Sequence, residues 1–257
     1  MSKTTIHSTF TFTNQCDKPY LTTNLVTHKL TWIDGVMKEF ASDELPRLIF
    51  MSHSFGAHLT QHVLLRRPDL LAQTQQIIHL MPFFRFDPPK LQKLMLSSVA
   101  HFYEYTIPAF TCCVRILTAT FPRSWIDLYL NKIMGLDCVN GRRIALDVFT
   151  NHRMVENHLV LGFEEIRSLP ELPNDVALRI LGRCPTSILF CGNPDQWAPR
   201  AHMEQLKEMK RKSLINNIHF TYIQQLRHDF IVHPNMIEPV IDFVLAEILS
   251  PKLSSKL

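Results

Sequence analysis

Leu48-Ile49-Phe50-Met51-Ser52-His53-Ser54-Phe55-Gly56 is the stretch on which the fold turns. Four apolar residues run without interruption into Ser52, the pattern of a short strand buried on both faces. From Ala57 to Arg67 the apolar spacing is helical, closed by Pro68. Ser54 therefore stands where a strand hands over to a helix. Small residues flank it two places either side, Ser52 and Gly56, and a tight strand-to-helix turn needs them because the chain doubles back there. Such a turn projects a serine hydroxyl as an accessible nucleophile. The usual pattern has Gly at the first small position, and Ser52 departs from it. On its own, S-x-S-x-G fits an ordinary strand-end turn equally well.

Outward from this stretch the same alternation continues. Leu25, Leu30, Ile33, Val36, Met37 and Phe40 recur at helical spacing ahead of a polar turn at Ser42-Asp43-Glu44. Gln76 to Met81 reads as a second buried strand, stopped by Pro82. Ser187 to Cys191 and His219 to Ile223 read as two more strands, and Met236 to Leu249 as a closing amphipathic helix. Between the second and third strands, Leu91 to Phe121 is mostly apolar and aromatic and is interrupted by Pro108. That stretch suits a helical hairpin dipping into an interface better than a membrane span. Residues 123 to 167 carry further helical patterns. The expected architecture is a mostly parallel α/β sheet with a helical cap: one domain over residues 1–257, an apolar insert at about 91–121 and a cap to about 180.

Two carboxyl-terminal loops supply partners for the serine. The Ser187 strand exits into Gly192-Asn193-Pro194-Asp195-Gln196-Trp197, and the His219 strand into Gln224-Gln225-Leu226-Arg227-His228-Asp229-Phe230. Loops at the carboxyl ends of parallel strands are where α/β sheets place function. The order Ser54, Asp195, His228 is that of the α/β-hydrolase triad, in which the imidazole takes the serine proton and the carboxylate orients the ring. Other readings remain: Asp195 as a cap for the following helix, His228 as a solvated loop residue, and Asp229 or His233 as competitors. Pro234 makes His233 look like the residue that leads into the closing helix. His58 and His62, four apart, have metal-pair spacing, but no Glu stands between them in the metalloprotease manner; with His53 they read as packing residues behind the turn. Cys112 and Cys113 read as apolar residues of the insert.

Composition excludes several classes. With 27 basic and 23 acidic residues, a formal charge of +4 and only short basic runs such as Lys210-Arg211-Lys212, the chain has no nucleic-acid footprint. The six cysteines lie mostly in apolar runs, as free thiols of a reducing compartment do. No cofactor and no metal is called for.

With these residues in hand, the chain from roughly His28 to Leu249 resembles the lipid-droplet-associated hydrolase family of serine α/β-hydrolases. His28-Lys29-Leu30 looks like its helix leading into the nucleophile strand, and His53-Ser54-Phe55-Gly56 like its nucleophile turn. Gly192 to Pro199, with Asp195 and Trp197, looks like its acid loop, and His228-Asp229-Phe230-Ile231 like its histidine loop. The resemblance implies nucleophile Ser54, acid Asp195 and base His228. It also implies a neutral lipid ester as substrate, such as a steryl ester, a role in lipid storage, and an apolar insert that sits on the endoplasmic reticulum and lipid droplets. The family places a Gly-Asn-Pro-Gly oxyanion loop ahead of the nucleophile, and no such loop stands before Ser54 here. Phe55 N–H is then the expected oxyanion donor, and the N-terminal strands are expected to be partly missing, with Thr9 to Thr13 as one strand-like alternation. If catalysis is weak for that reason, the alternative is a droplet-binding scaffold. The final Ser255-Lys256-Leu257 matches a peroxisomal address.

Overall fold

The computed structural model describes residues 22–40, 46–84, 102–136, 138–168, 180–192, 195 and 197–249. Thr9 to Thr13, the first part of the expected insert and the terminal tripeptide lie outside them. Along the chain come α1 (Thr22–Met37), β1 (Leu48–His53), α2 (Gly56–Arg66), α3 (Pro68–Gln73) and β2 (Thr74–Leu80). Four cap helices follow: α4 (Tyr103–Thr120), α5 (Arg123–Lys132), α6 (Val139–Thr150) and α7 (His152–Ser168). The chain then returns to the sheet with β3 (Thr186–Cys191), α8 (Arg200–Arg211), β4 (Ile218–Ile223) and α9 (Pro234–Leu249).

The four strands pair in chain order, β1-β2-β3-β4, and every pairing is parallel. Parallel strands need covered faces, and alternate residues of β2 supply them. Ile77 joins Val26, Leu59, Val63 and Leu64 in a core beneath α1 and α2, while Ile78 and Leu80 join Ile188, Phe190, Met203 and Phe243 on the side of α8 and α9. Each fully buried Ile or Leu contributes roughly 1.5–3 kcal/mol relative to an exposed one.

Four expectations need correction. β1 is not buried on both faces: Ile49 and Met51 are 39% and 60% exposed, because β1 is the edge of the described sheet and pairs only with β2. Pro68 does more than close a helix, since with its φ preset for a first turn it opens α3. Pro108 does not break the insert; α4 runs through it from Tyr103 to Thr120. The first helix ends at Met37, leaving Phe40 beyond it. Among the described residues no helix is long and apolar enough to cross a membrane.

Candidate active site

Ser54 follows β1 with φ at +53°, a left-handed conformation that a residue with a Cβ adopts only when its surroundings impose it. The surroundings here are explicit. Ser54 N–H donates to the Leu80 carbonyl at 3.1 Å, and the Ser54 carbonyl accepts from Ala57 N–H and Phe83 N–H, both at 3.0 Å. The turn is thus tied to the end of β2 as well as to α2. The departure at Ser52 is accommodated: a Cβ added at Gly56 would stand 3.6 Å from the Ser52 Cβ, an ordinary contact. The hydroxyl of Ser52 lies 2.6 Å from His79 Nδ1 on β2.

Asp195 lies beyond the end of β3. Its Oδ1 accepts the N–H groups of Trp197 and Ala198 at 2.8 and 3.0 Å. Its Oδ2 is 2.7 Å from His228 Nδ1 and 3.1 Å from Cys191 Sγ. Burial pushes the Asp195 pKa up, but the hydrogen bond and charge of His228, with the Ala198 N–H and the Cys191 thiol, outweigh it and hold the carboxyl below its ordinary range. An ionised carboxylate only accepts, so His228 Nδ1 carries the proton and donates. In the neutral ring Nε2 is then the acceptor, facing the Ser54 hydroxyl at 2.8 Å. Asp195 does not cap the following helix, whose N-cap is Pro199 without a side-chain cap bond; its other oxygen instead holds the N–H groups of Trp197 and Ala198 ahead of that helix.

The site is assembled across the sheet. Ser54 follows the first strand and His228 follows the fourth, a separation of three strand spacings or roughly 14 Å. The loop leaving β4 doubles back to bridge it. At the loop's root the chain passes so close to Gly192 that a Cβ there would lie 2.3 Å from both Cα and O of Gln224. Only glycine allows that approach. The competitors are occupied elsewhere: Asp229 accepts from Arg227 Nε at 2.9 Å and pairs with His233 Nε2 at 3.3 Å.

Sequence reading missed two neighbours. His53 Nε2 lies 2.9 Å from the His228 backbone carbonyl, with the two rings 5.1 Å apart. Cys191 sits under Asp195, and burial first, then the Asp195 charge, raise its thiol pKa, so it remains an S–H donor. Its position as the last residue of an apolar strand, four before a carboxylate, was the available signal. His58 and His62 do face each other, at 4.4 Å between ring centroids, and burial first, then His62, lowers His58 to about 4. Among the described residues no group of three or more potential ligands could hold a metal.

Phe55 is buried and its backbone N–H belongs to the turn entering α2, where N–H groups lack intrahelical acceptors. In the cap, α4, α5 and α6 line an open apolar cavity of about 440 Å³ whose walls include Phe110, Leu117, Phe121, Trp125 and Phe149. The first turn of α6 rests on the far end of the loop that carries His228, since a Cβ at Gly141 would meet Val232 at 3.4 Å.

The family model described as lipid-droplet associated hydrolase matches residues 4–231. No curated protein matches the chain. Similar solved structures include an α/β hydrolase from a Medee basin deep-sea metagenome library, 12% identical over 94% of this chain and 77% of that one, with a TM-score of 0.58. A carboxylesterase of the thaumarchaeon Nitrososphaera gargenis is 15% identical over 91% of this chain and 75% of its own, with a TM-score of 0.54. An ancestral haloalkane dehalogenase is 15% identical over 91% and 77%, with a TM-score of 0.53. At such identities the likeness shows the fold, which is that of the α/β hydrolases. Over most of its length, and with its strands and loops arranged as described, the chain belongs to the lipid-droplet associated hydrolase family.

Proposed function

We propose that the protein is a serine hydrolase of neutral lipid esters, such as steryl esters, working at the surface of lipid droplets and the endoplasmic reticulum. The observation that carries this reading is the continuous chain from Ser54 Oγ through His228 to Asp195, with links of 2.8 and 2.7 Å. Ser54 Oγ attacks the acyl carbonyl as its proton passes to His228 Nε2. That proton then goes to the departing alcohol oxygen, leaving an acyl group on Ser54. Water attacks the acyl-enzyme, giving a proton to His228, which returns it to Ser54 Oγ as the acid leaves. Asp195 holds the ring in the required tautomer, and Phe55 N–H is the donor for the oxyanion. The aromatic walls of the cap cavity suit an acyl chain or sterol.

A fluorophosphonate probe tests the reading. Labelling of the native protein at Ser54, lost in Ser54→Ala, is the expected result; a folded native protein that takes no label overturns it. A second reading, a droplet-bound scaffold, is favoured by the exposed Tyr105, Ile116, Trp125 and Ile133 of the cap, each at least 60% accessible. It expects deletion of residues 91–121 to abolish droplet localisation while Ser54→Ala leaves every phenotype intact. A peroxisomal destination through Ser255-Lys256-Leu257 ranks behind the droplet, and a fluorescent fusion at the N-terminus, leaving the tail free, decides between them.

A further inference from the structure

The base loop is a cantilever. It is rooted at β4, where Gln224 presses on Gly192, and its tip must stay registered with a serine three strands away. Side-chain bonds at the tip, from Ser54 and to Asp195, fix the imidazole ring, but the backbone that carries the ring needs its own anchor. That anchor comes from His53, the residue bonded directly to the serine. A carbonyl only accepts, so the contact at 2.9 Å requires the proton on His53 Nε2, which donates to the His228 oxygen. The His53 ring is oriented by an edge-on contact with Phe230, at 5.2 Å and 85°. Burial, and then the proximity of His228, lowers the His53 pKa, so the ring stays neutral and adds no charge beside the base.

We propose that His53 is a positioning residue: its Nε2–H staples the backbone of the base loop to the nucleophile turn, so that Ser54 and His228 move as one body. The serine turn is already tied to β2 and to α2, and fastening the far-reaching loop to it carries that restraint over to His228 and holds their separation. The effect on rate rests on the hydrolase reading above; the effect on the loop does not.

Two substitutions separate the donor from the ring. His53→Phe keeps a ring against Phe230 and removes the donor, whereas His53→Gln offers an amide N–H at nearly the position of Nε2. Hydrogen exchange of peptides covering residues 224–233, followed by mass spectrometry, reads the loop directly, and thermal melting verifies the fold. In the native protein and both variants, kcat and KM for a short-chain aryl ester read the consequence. The expected result is faster exchange in His53→Phe, a kcat lowered roughly tenfold to a hundredfold with KM little changed, and recovery of both in His53→Gln. Native exchange in His53→Phe overturns the proposal, as does equal impairment in the two variants. If the native protein neither hydrolyses esters nor takes a fluorophosphonate label, the hydrolase reading falls. The exchange contrast then decides the staple alone: slow exchange restored by Gln supports it, and no contrast overturns it.

Discussion

Ser52 and His79 are register partners on β1 and β2, and their side chains share a hydrogen bond of 2.6 Å beside the Ser54 turn. His79 is fully buried, packs edge-on against Phe84 at 5.1 Å, and has no acceptor or donor at its Nε2 among the described residues. Among the described residues, the serine that breaks the usual turn pattern is thus the one hydrogen-bonding contact of a buried imidazole. Burial holds that imidazole neutral, with its pKa lowered to about 3.

The pair is expected to behave as a unit. Ser52→Ala strands a buried polar ring and should cost about 1–3 kcal/mol. In combination with His79→Leu the loss should be smaller than the sum of the single losses, with a coupling of roughly 0.5–3 kcal/mol. Urea unfolding of the four proteins measures it. The same ring makes stability sensitive to acid. The folded pKa lies below the ordinary 6.5, so the unfolded chain binds the proton more readily. The stabilisation is complete above that value and drains away as the pH falls, levelling off near the folded pKa. His79→Leu should flatten the decline between pH 6 and 4 by about 1.4 kcal/mol per pH unit, and an unchanged slope would show that this histidine does not set it.

At Gly192 the expected effect comes from backbone meeting backbone. A methyl group at that position would overlap the Gln224 Cα and carbonyl at 2.3 Å, and no side-chain rotation relieves that. Gly192→Ala should destabilise the protein by about 1–3 kcal/mol and slow fluorophosphonate labelling of Ser54 by up to about a hundredfold, because the root of the loop carrying His228 is displaced. Native melting together with native labelling would show that the loop reroutes freely.

Asp195 can be dissected through its two oxygens. Asp195→Asn keeps an acceptor for Trp197 N–H and Ala198 N–H but disturbs the ring tautomer, so labelling should fall by as much as about 10⁴-fold while the melting temperature holds. Asp195→Ala should lose labelling and also about 1–2 kcal/mol of stability, since two turn N–H groups lose their acceptor. Comparing rates and melts of the two variants separates the roles.

The cap makes a distinct expectation. Tyr105, Ile116, Trp125 and Ile133 are exposed apolar residues on α4, on α5 and just beyond α5. Replacing Tyr105, Ile116 and Ile133, which do not line the cap cavity, by Ser should reduce flotation with droplets of neutral lipid several-fold and leave labelling of Ser54 by a water-soluble fluorophosphonate at the native rate. Loss of labelling in a protein that melts normally would place these residues in the service of the site.

The strands, and the loops that bring Ser54, Asp195 and His228 together, were legible because they depend on local pattern: short apolar or alternating runs, followed by loops at the strand ends the fold favours. What escaped depends on where distant segments pass one another. The exposure of Ile49 and Met51 follows from the absence of a second neighbour for β1 among the described strands, which no run of residues announces. The tie from His53 to the His228 carbonyl exists only because the loop from β4 returns across the sheet, and the thiol of Cys191 meets Asp195 because that carboxylate packs against the end of its own strand. Helix ends were read less well, as at Phe40 and Pro68, because capping is decided by the packing of the next element.

Asp195 has no spare lone-pair direction to wander in. Two amides grip one oxygen while a thiol and an imidazole grip the other, so the carboxylate plane cannot rotate without breaking bonds on both sides. Under the proposed mechanism a positive charge on His228 would meet an electric field already pointing the right way, and the reorganisation that water would have to perform around such a charge would have been completed when the chain folded.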